Sequence, residues 1–362
     1  MTSFKDYFLQ QLQQRTAMPF VEFMHHALYA PYVGYYSAGS PLGKEGDFIT
    51  SPEISPLFGY ALANQCATLL DEFATPILFE FGAGSGKLCV DLLKRLDTLG
   101  KLPQAYHILD VSASLKEKQK TYINAQIPEL SHLVHWLQYW PETPFEGIVI
   151  ANEVLDAMPV HRFLKTEEGL FESMISFNNE HFKEQFEPCQ NKLLHKHVHA
   201  VIKHTITPYL SEANLMLEDW MKQCALMLKK GAMFIIDYGF PEHEYYHPDR
   251  NQGTLMCHTQ HRTHPNPLAN PGSEDITAHV DFTHVATCAV KAGFHVAGYT
   301  NQASFLLANH LLDFAETYQE RQAIQQLTHP SEMGELFKVI GLTKNLITPL
   351  QGFEFFDKRA SL

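Results

Sequence analysis

Paired cysteines are missing from this chain. Its six cysteines stand at 66, 89, 189, 224, 257 and 288, and no two have the C-x-x-C spacing of a zinc knuckle or a redox pair. In a chain of 362 residues they are expected to be reduced, mostly buried thiols of a cytoplasmic protein. Basic charge is scarce too: 27 lysines and arginines face 40 acids, a formal net charge of −13. That balance argues against nucleic acid as the main partner, because such binding rests on cationic side chains neutralising phosphates. It suits a basic protein or peptide, although an acidic surface by itself commonly means only solubility. Long apolar runs are absent. Gly147–Ile150 and Met233–Ile236 are among the longest, far below the roughly 20 residues that cross a bilayer. The opening Met1-Thr2-Ser3-Phe4-Lys5-Asp6 lacks a charged-then-apolar leader pattern, so a cytoplasmic location without membrane attachment is expected. The 21 histidines include His25-His26 and the alternating His195, His197 and His199, but no HExxH accompanies them and no metal is expected.

What is present is a rhythm. Residues 4–28 repeat Phe4, Phe8, Leu12 and then Phe20, Phe23, Met24, Leu28 at spacings of three and four, which predicts helices packed by one face. A Gly, Pro, Tyr and Ser-rich loop follows over 29–56, its aromatic content suggesting a lid, and then a helix over 55–73. From Ile77 strands alternate with helices: strands 77–81, 105–111, 133–137, 147–151, 232–237 and 295–300, helices 86–99, 114–125, 215–228 and 282–292. Such alternation predicts an α/β fold with a mostly parallel, doubly wound sheet. Residues 160–214 break the rhythm, with a hairpin around Glu167-Glu168-Gly169, and read as an insertion. The expected organisation is 1–74 N-terminal helices and lid, 75–160 first part of the sheet domain, 161–214 insertion, 215–305 second part, and 306–362 C-terminal extension.

Three features carry chemistry. Gly82, Gly84 and Gly86 follow a buried strand, letting the chain turn tightly and a ligand approach backbone at a helix start. Their G-x-G-x-G spacing is neither a dinucleotide fingerprint nor a P-loop, which disfavours a nicotinamide oxidoreductase. Glu80, two residues earlier, suits a cofactor bearing an ammonium and a sulfonium. Asp110, 24 residues beyond Gly86, stands where an acid can accept both ribose hydroxyls; its plain alternative is a helix cap. Asn152, Glu153 and Asp156 end the fourth strand, where ligands sit in open α/β sheets. The two acids could hold a guanidinium, or they could simply open a helix capped by Asn152. Asp47, Phe48, Ser51, Pro52 and Glu53 form a fourth, weaker group, as lid or as surface turn.

Together these residues resemble the MidA-like family of S-adenosylmethionine-dependent methyltransferases, whose mitochondrial member is a protein arginine methyltransferase acting in respiratory complex I assembly. The similarity runs through Gly34-Tyr35-Tyr36, Gly46-Asp47-Phe48-Ile49-Thr50-Ser51-Pro52-Glu53, Asn152-Glu153 with Asp156-Ala157-Met158-Pro159, Asp237-Tyr238-Gly239, Gly253-Thr254-Leu255, Asp275-Ile276-Thr277-Ala278-His279-Val280-Asp281 and Met333-Gly334-Glu335-Leu336-Phe337. It implies a seven-strand, Rossmann-like methyltransferase sheet with S-adenosylmethionine as cofactor. Glu80, Gly82, Ala83, Gly84 and Gly86 would hold its methionine part, Asp110 its ribose, and Asn152 would face both cofactor and acceptor. Glu153 and Asp156 would then serve transfer to an arginine nitrogen of a protein. Ala83, Ser85, Asp110 and Tyr60 depart from the usual pattern, Tyr60 replacing a common acid. A small molecule or another protein side chain as acceptor, and a cofactor-binding non-catalytic assembly factor, remain the competing readings, and oligomeric state stays open, with a homodimer as one possibility.

Overall fold

The computed structural model describes residues 3–37, 50–259 and 262–362. Five apolar segments lie side by side as parallel strands: β1 (Ile77–Phe81), β2 (Ala105–Leu109), β3 (Val134–Leu137), β4 (Phe145–Asn152) and β5 (Leu228–Phe240). β6 (His295–Asn301) and β7 (Phe337–Lys344) extend the sheet, and the spatial order is β6-β7-β5-β4-β1-β2-β3. The two-residue strand Val280–Asp281 pairs with the end of β5 and makes an eighth strand.

Side chains alternate between two cores, as strand geometry requires. Leu78, Ile108, Ile148 and Ile236 face α4 (Pro56–Leu70), α5 (Lys87–Thr98) and α6 (Ala113–Gln126). Phe79, Val149, Met233 and Ile235 face the helices Leu217–Met227 and Phe282–Ala292. Each fully buried side chain of this kind stabilises the fold by about 1.5–3 kcal/mol relative to exposure. Covered on both faces, the sheet leaves its carboxyl edge as the place for chemistry.

The flanking regions differ from expectation in three ways. First, the N-terminal segment is shared between two cores. α1 (Phe4–Leu12) and α2 (Phe20–Tyr29) pack with Ile175, Leu255 and Ile276, away from the sheet that α4 covers. Second, the insertion is a five-stranded antiparallel sheet that recruits Met18–Pro19. Its hairpin pairs His161–Lys165 with Leu170–Asn178. Beyond the expected hairpin it holds a further strand, His181–Pro188, and a helix, Lys192–Val201. The helix buries Leu194, Val198 and Val201, and Asn191 caps it; the interspersed histidines hide that apolar face in the sequence. Third, the tail is not an appendage. Its β7 lies between β5 and β6, antiparallel to both, and is buried over Phe337–Thr343.

Candidate active site

One half of the candidate site is built at the ends of β1 and β2. Glu80 sits one register step before the end of β1, paired with Ile108 and Ile150, and is 2 % exposed. Burial pushes its carboxyl up to about 8; the Tyr106 hydroxyl, which donates to Glu80 Oε2 at 2.7 Å, opposes that rise. Gly84 has φ of +54° and Gly86, the cap residue of α5, φ of +86°, conformations that cost an L side chain strain. A Cβ on Gly84 would meet nothing within 4 Å, so the loop's outer surface is open to a ligand.

Asp110 is buried at the carboxyl end of β2. Its Oδ1 accepts the Ser112 N–H at 2.9 Å and its Oδ2 the Gln119 amide at 2.8 Å. Ser112 caps α6 through its own hydroxyl, so the cap alternative for Asp110 does not hold. Burial raises the Asp110 carboxyl, while the Ser112 and Gln119 donors pull it down.

The other half begins where β4 ends. Glu153 has φ of +53°, and its N–H donates to Ile236 O at 2.8 Å. Residues 153–159 form turns and no helix, so the reading of these acids as a capped helix start fails. The reason is Asp237, fully buried on β5. Its Oδ2 accepts the N–H groups of Leu155 and Asp156 at 2.9 and 3.2 Å and holds the segment as a loop. Glu153 Oε1 accepts from Asn152 Nδ2 at 3.1 Å and from the Ser51 N–H at 3.2 Å. Asn152 Oδ1 is buried and finds no partner among the described residues. Burial, and then the charge of Asp156, pushes Glu153 up to about 8; burial pushes Asp156 to about 6 and Asp237 well above the carboxylate range. No lysine, arginine or histidine enters among the causes, and these acids form no ion pair among the described residues.

One short helix, α3 (Ser51–Ile54), joins the halves. Beyond its bond to Glu153, Ser51 donates its hydroxyl to Gln302 Oε1 at 2.9 Å, and Pro52 is buried beside it. Glu53 accepts the hydroxyl of Ser85 in the glycine loop. Asp47 and Phe48 lie outside the described residues. Tyr60 stands apart on α4, its ring against Phe314.

The tyrosines of the loop read as an aromatic lid take specific partners here. Tyr36 donates to Asp275 at 2.9 Å, and Tyr29, stacked on Tyr36, donates to Ala157 O at 2.8 Å. Asp237 did carry a signal, a polar residue closing an apolar strand, as Asn152 does. Away from this cleft, Cys257, His264 and Glu274 bring ligand-type atoms within 4.8 Å of one another. There the Asn266 N–H donates to His264 Nδ1 at 3.3 Å, leaving Nε2–H to face Glu274 at 3.1 Å, the tautomer of a satisfied buried carboxylate.

Residues 61–300 match the model of a family described as S-adenosyl-L-methionine-dependent methyltransferases. The chain is 28% identical over 384 residues to the Drosophila melanogaster protein arginine methyltransferase NDUFAF7 homolog, mitochondrial, covering 93% of this chain and 85% of that one. To the Bos taurus protein arginine methyltransferase NDUFAF7, mitochondrial, it is 28% identical, covering 89% and 79%. Among solved structures, a Burkholderia thailandensis protein bound to S-adenosyl-homocysteine superposes with a TM-score of 0.93 at 38% identity, over 99% of this chain and 96% of that one.

Proposed function

The chain belongs to the S-adenosyl-L-methionine-dependent methyltransferase family, and from that premise we propose that its acceptor is a guanidinium nitrogen of arginine in a protein. One observation carries this reading: Glu153, half-buried, stands with the buried Asp156 and Asp237 with no cation among the described residues, beside the orphaned Asn152 Oδ1. Buried acids without a counter-charge are costly, and a planar cation with several N–H donors relieves that cost. The names of the Drosophila and bovine relatives support the same acceptor.

The cofactor half fits its group on the same logic. Glu80, buried with only a neutral hydroxyl on it, would hold the methionine ammonium; the backbone at Gly82, Ala83, Gly84 and Gly86 would lie along the methionine part; Asp110 has lone pairs left for two ribose hydroxyls. When bound, S-adenosylmethionine supplies a methyl group made electrophilic by its sulfonium.

The remaining steps belong to this chain's residues. Asn152 Oδ1 and the Glu153 carboxylate orient the guanidinium, and Asp156 keeps its positive charge on the far nitrogens. Glu153 then takes up the proton released as the nitrogen gains its methyl. Orientation supplies most of the acceleration, since it turns an encounter between two molecules into a step within one. Ser51, Pro52 and Glu53 act as the lid that excludes water, and a cytoplasmic site of action, free of nucleic acid and membrane, completes the reading.

The test is to incubate the protein with cell extract and cofactor carrying a labelled methyl, then hydrolyse the protein fraction. Labelled methylarginine is expected; label confined to small molecules or to another amino acid contradicts the proposal.

A further inference from the structure

α6 is a polar helix whose neighbours Lys116, Glu117 and Lys120 meet solvent, yet its Gln119 has no exposed surface at all. A primary amide in such a place costs free energy unless every polar atom is matched; an aliphatic side chain would fill the same space without that demand. Gln119 is matched throughout. Its Nε2 donates to Gly84 O at 3.0 Å and to Asp110 Oδ2 at 2.8 Å, and its Oε1 accepts the Trp136 Nε1–H at 2.9 Å. The amide has a single workable orientation. Turned over, its oxygen would face a carbonyl and a carboxylate, and its NH₂ would face the indole N–H.

We propose that Gln119 is a positioning residue for the cofactor: it fixes the spacing between the glycine loop and the ribose acid, and Trp136 holds it in register. The inference rests on the reading that Gly84 and Asp110 bracket S-adenosylmethionine.

Two further observations agree. A Cβ on Gly86 would lie 3.3 Å from Ile123 Cδ1 and 3.6 Å from Gln119 Cα, so that glycine lets α6 approach the loop closely enough for the bridge. Trp136 on β3 pairs with Ile108 on β2, the strand that Asp110 directly follows, so the indole is fixed to the same rigid sheet as the acid. The bridge also bears on charge. Around Asp110, the Ser112 and Val111 amides, Gln119 and Lys116 favour its ionised form; Glu80 on β1 and Tyr29 on α2 are the other titratable groups coupled to it. Removing Gln119 takes away a donor that pulls the Asp110 carboxyl down, so the carboxyl rises.

Calorimetry of S-adenosylmethionine binding, as a function of pH, tests this on the folded full-length chain. Gln119→Met is expected to weaken binding about tenfold, the lower value of one hydrogen bond to a charged group. The acid limb of affinity should also move to higher pH, which a purely structural role would not produce. Trp136→Phe, which keeps a ring and loses only the N–H, should weaken binding about threefold, and the double variant should be no worse than Gln119→Met. Gln119→Met binding within twofold of wild type, with the acid limb unmoved, overturns the bridge if Asp110→Asn does weaken binding. If Asp110→Asn leaves affinity unchanged, the cofactor-site reading falls and the bridge with it. Should Gln119→Met fail to fold, unchanged affinity in Trp136→Phe is by itself a refutation.

Discussion

The two halves of the cleft solve opposite problems. On the proposed cofactor side Asp110 is surrounded by donors from Ser112 and Gln119, and the glycine loop is tied back to α6. On the proposed acceptor side Glu153 and Asp156 lie against Asp237, the charge of Asp156 raising both of the others and no cation answering them among the described residues. A half that must hold the same ligand in every turnover is braced before the ligand arrives. A half that must capture a cation keeps its acids strained until that cation comes. The comparison predicts that the halves fail differently when altered.

The largest effect is expected at Glu153. Glu153→Gln keeps shape and the Ser51 and Asn152 neighbours but removes the charge, and turnover should fall about 10²–10³-fold, the usual cost of losing one preorganised transition-state partner. Steady-state assay beside cofactor calorimetry checks this; full activity would erase the difference between the halves. Glu80→Gln comes next and should act on the other side alone, weakening S-adenosylmethionine about 10- to 100-fold because a charged hydrogen-bond partner becomes neutral. Equilibrium binding reads it, and unchanged affinity would remove Glu80 from the site.

The pH profile sharpens the comparison further. Burial and the charge of Asp156 raise Glu153 to about 8, and its ionised form is the one that holds a guanidinium. The protonated acid below that pH cannot do so, so kcat/KM for the acceptor should rise with pH through about 8 and flatten in Glu153→Gln. A wild-type profile level from pH 6 to 9 would contradict the assignment. The smallest effect belongs to the link between halves: Ser85→Ala removes the hydroxyl that Glu53 accepts and should raise the cofactor KM about two- to tenfold.

The same contrast explains what the sequence disclosed. Glu80, Gly82, Gly84 and Gly86 are near neighbours in the chain, and a glycine turn after an apolar strand is a local pattern. Asn152, Glu153 and Asp156 were visible for the same reason, but their conformation was not. Whether they opened a helix or a loop depended on Asp237, 82 residues from Leu155. Ser51 meets Gln302 across 251 residues, and no spacing rule reaches that far. Gln119 was hidden by its own helix, where one buried amide among lysines looks like surface. The antiparallel strand β7 was likewise an apolar run in a tail, and only the neighbouring strands give it a place.

The separation of the halves can be measured in one experiment. Cofactor affinity and the single-turnover rate of methyl transfer at saturating cofactor are determined side by side for Glu153→Gln and Asp110→Asn. Glu153→Gln should bind S-adenosylmethionine within about twofold of wild type and transfer at least about 100-fold more slowly, while Asp110→Asn should bind about tenfold more weakly and transfer at nearly the wild-type rate. Equal loss of binding and transfer in both variants would contradict the account.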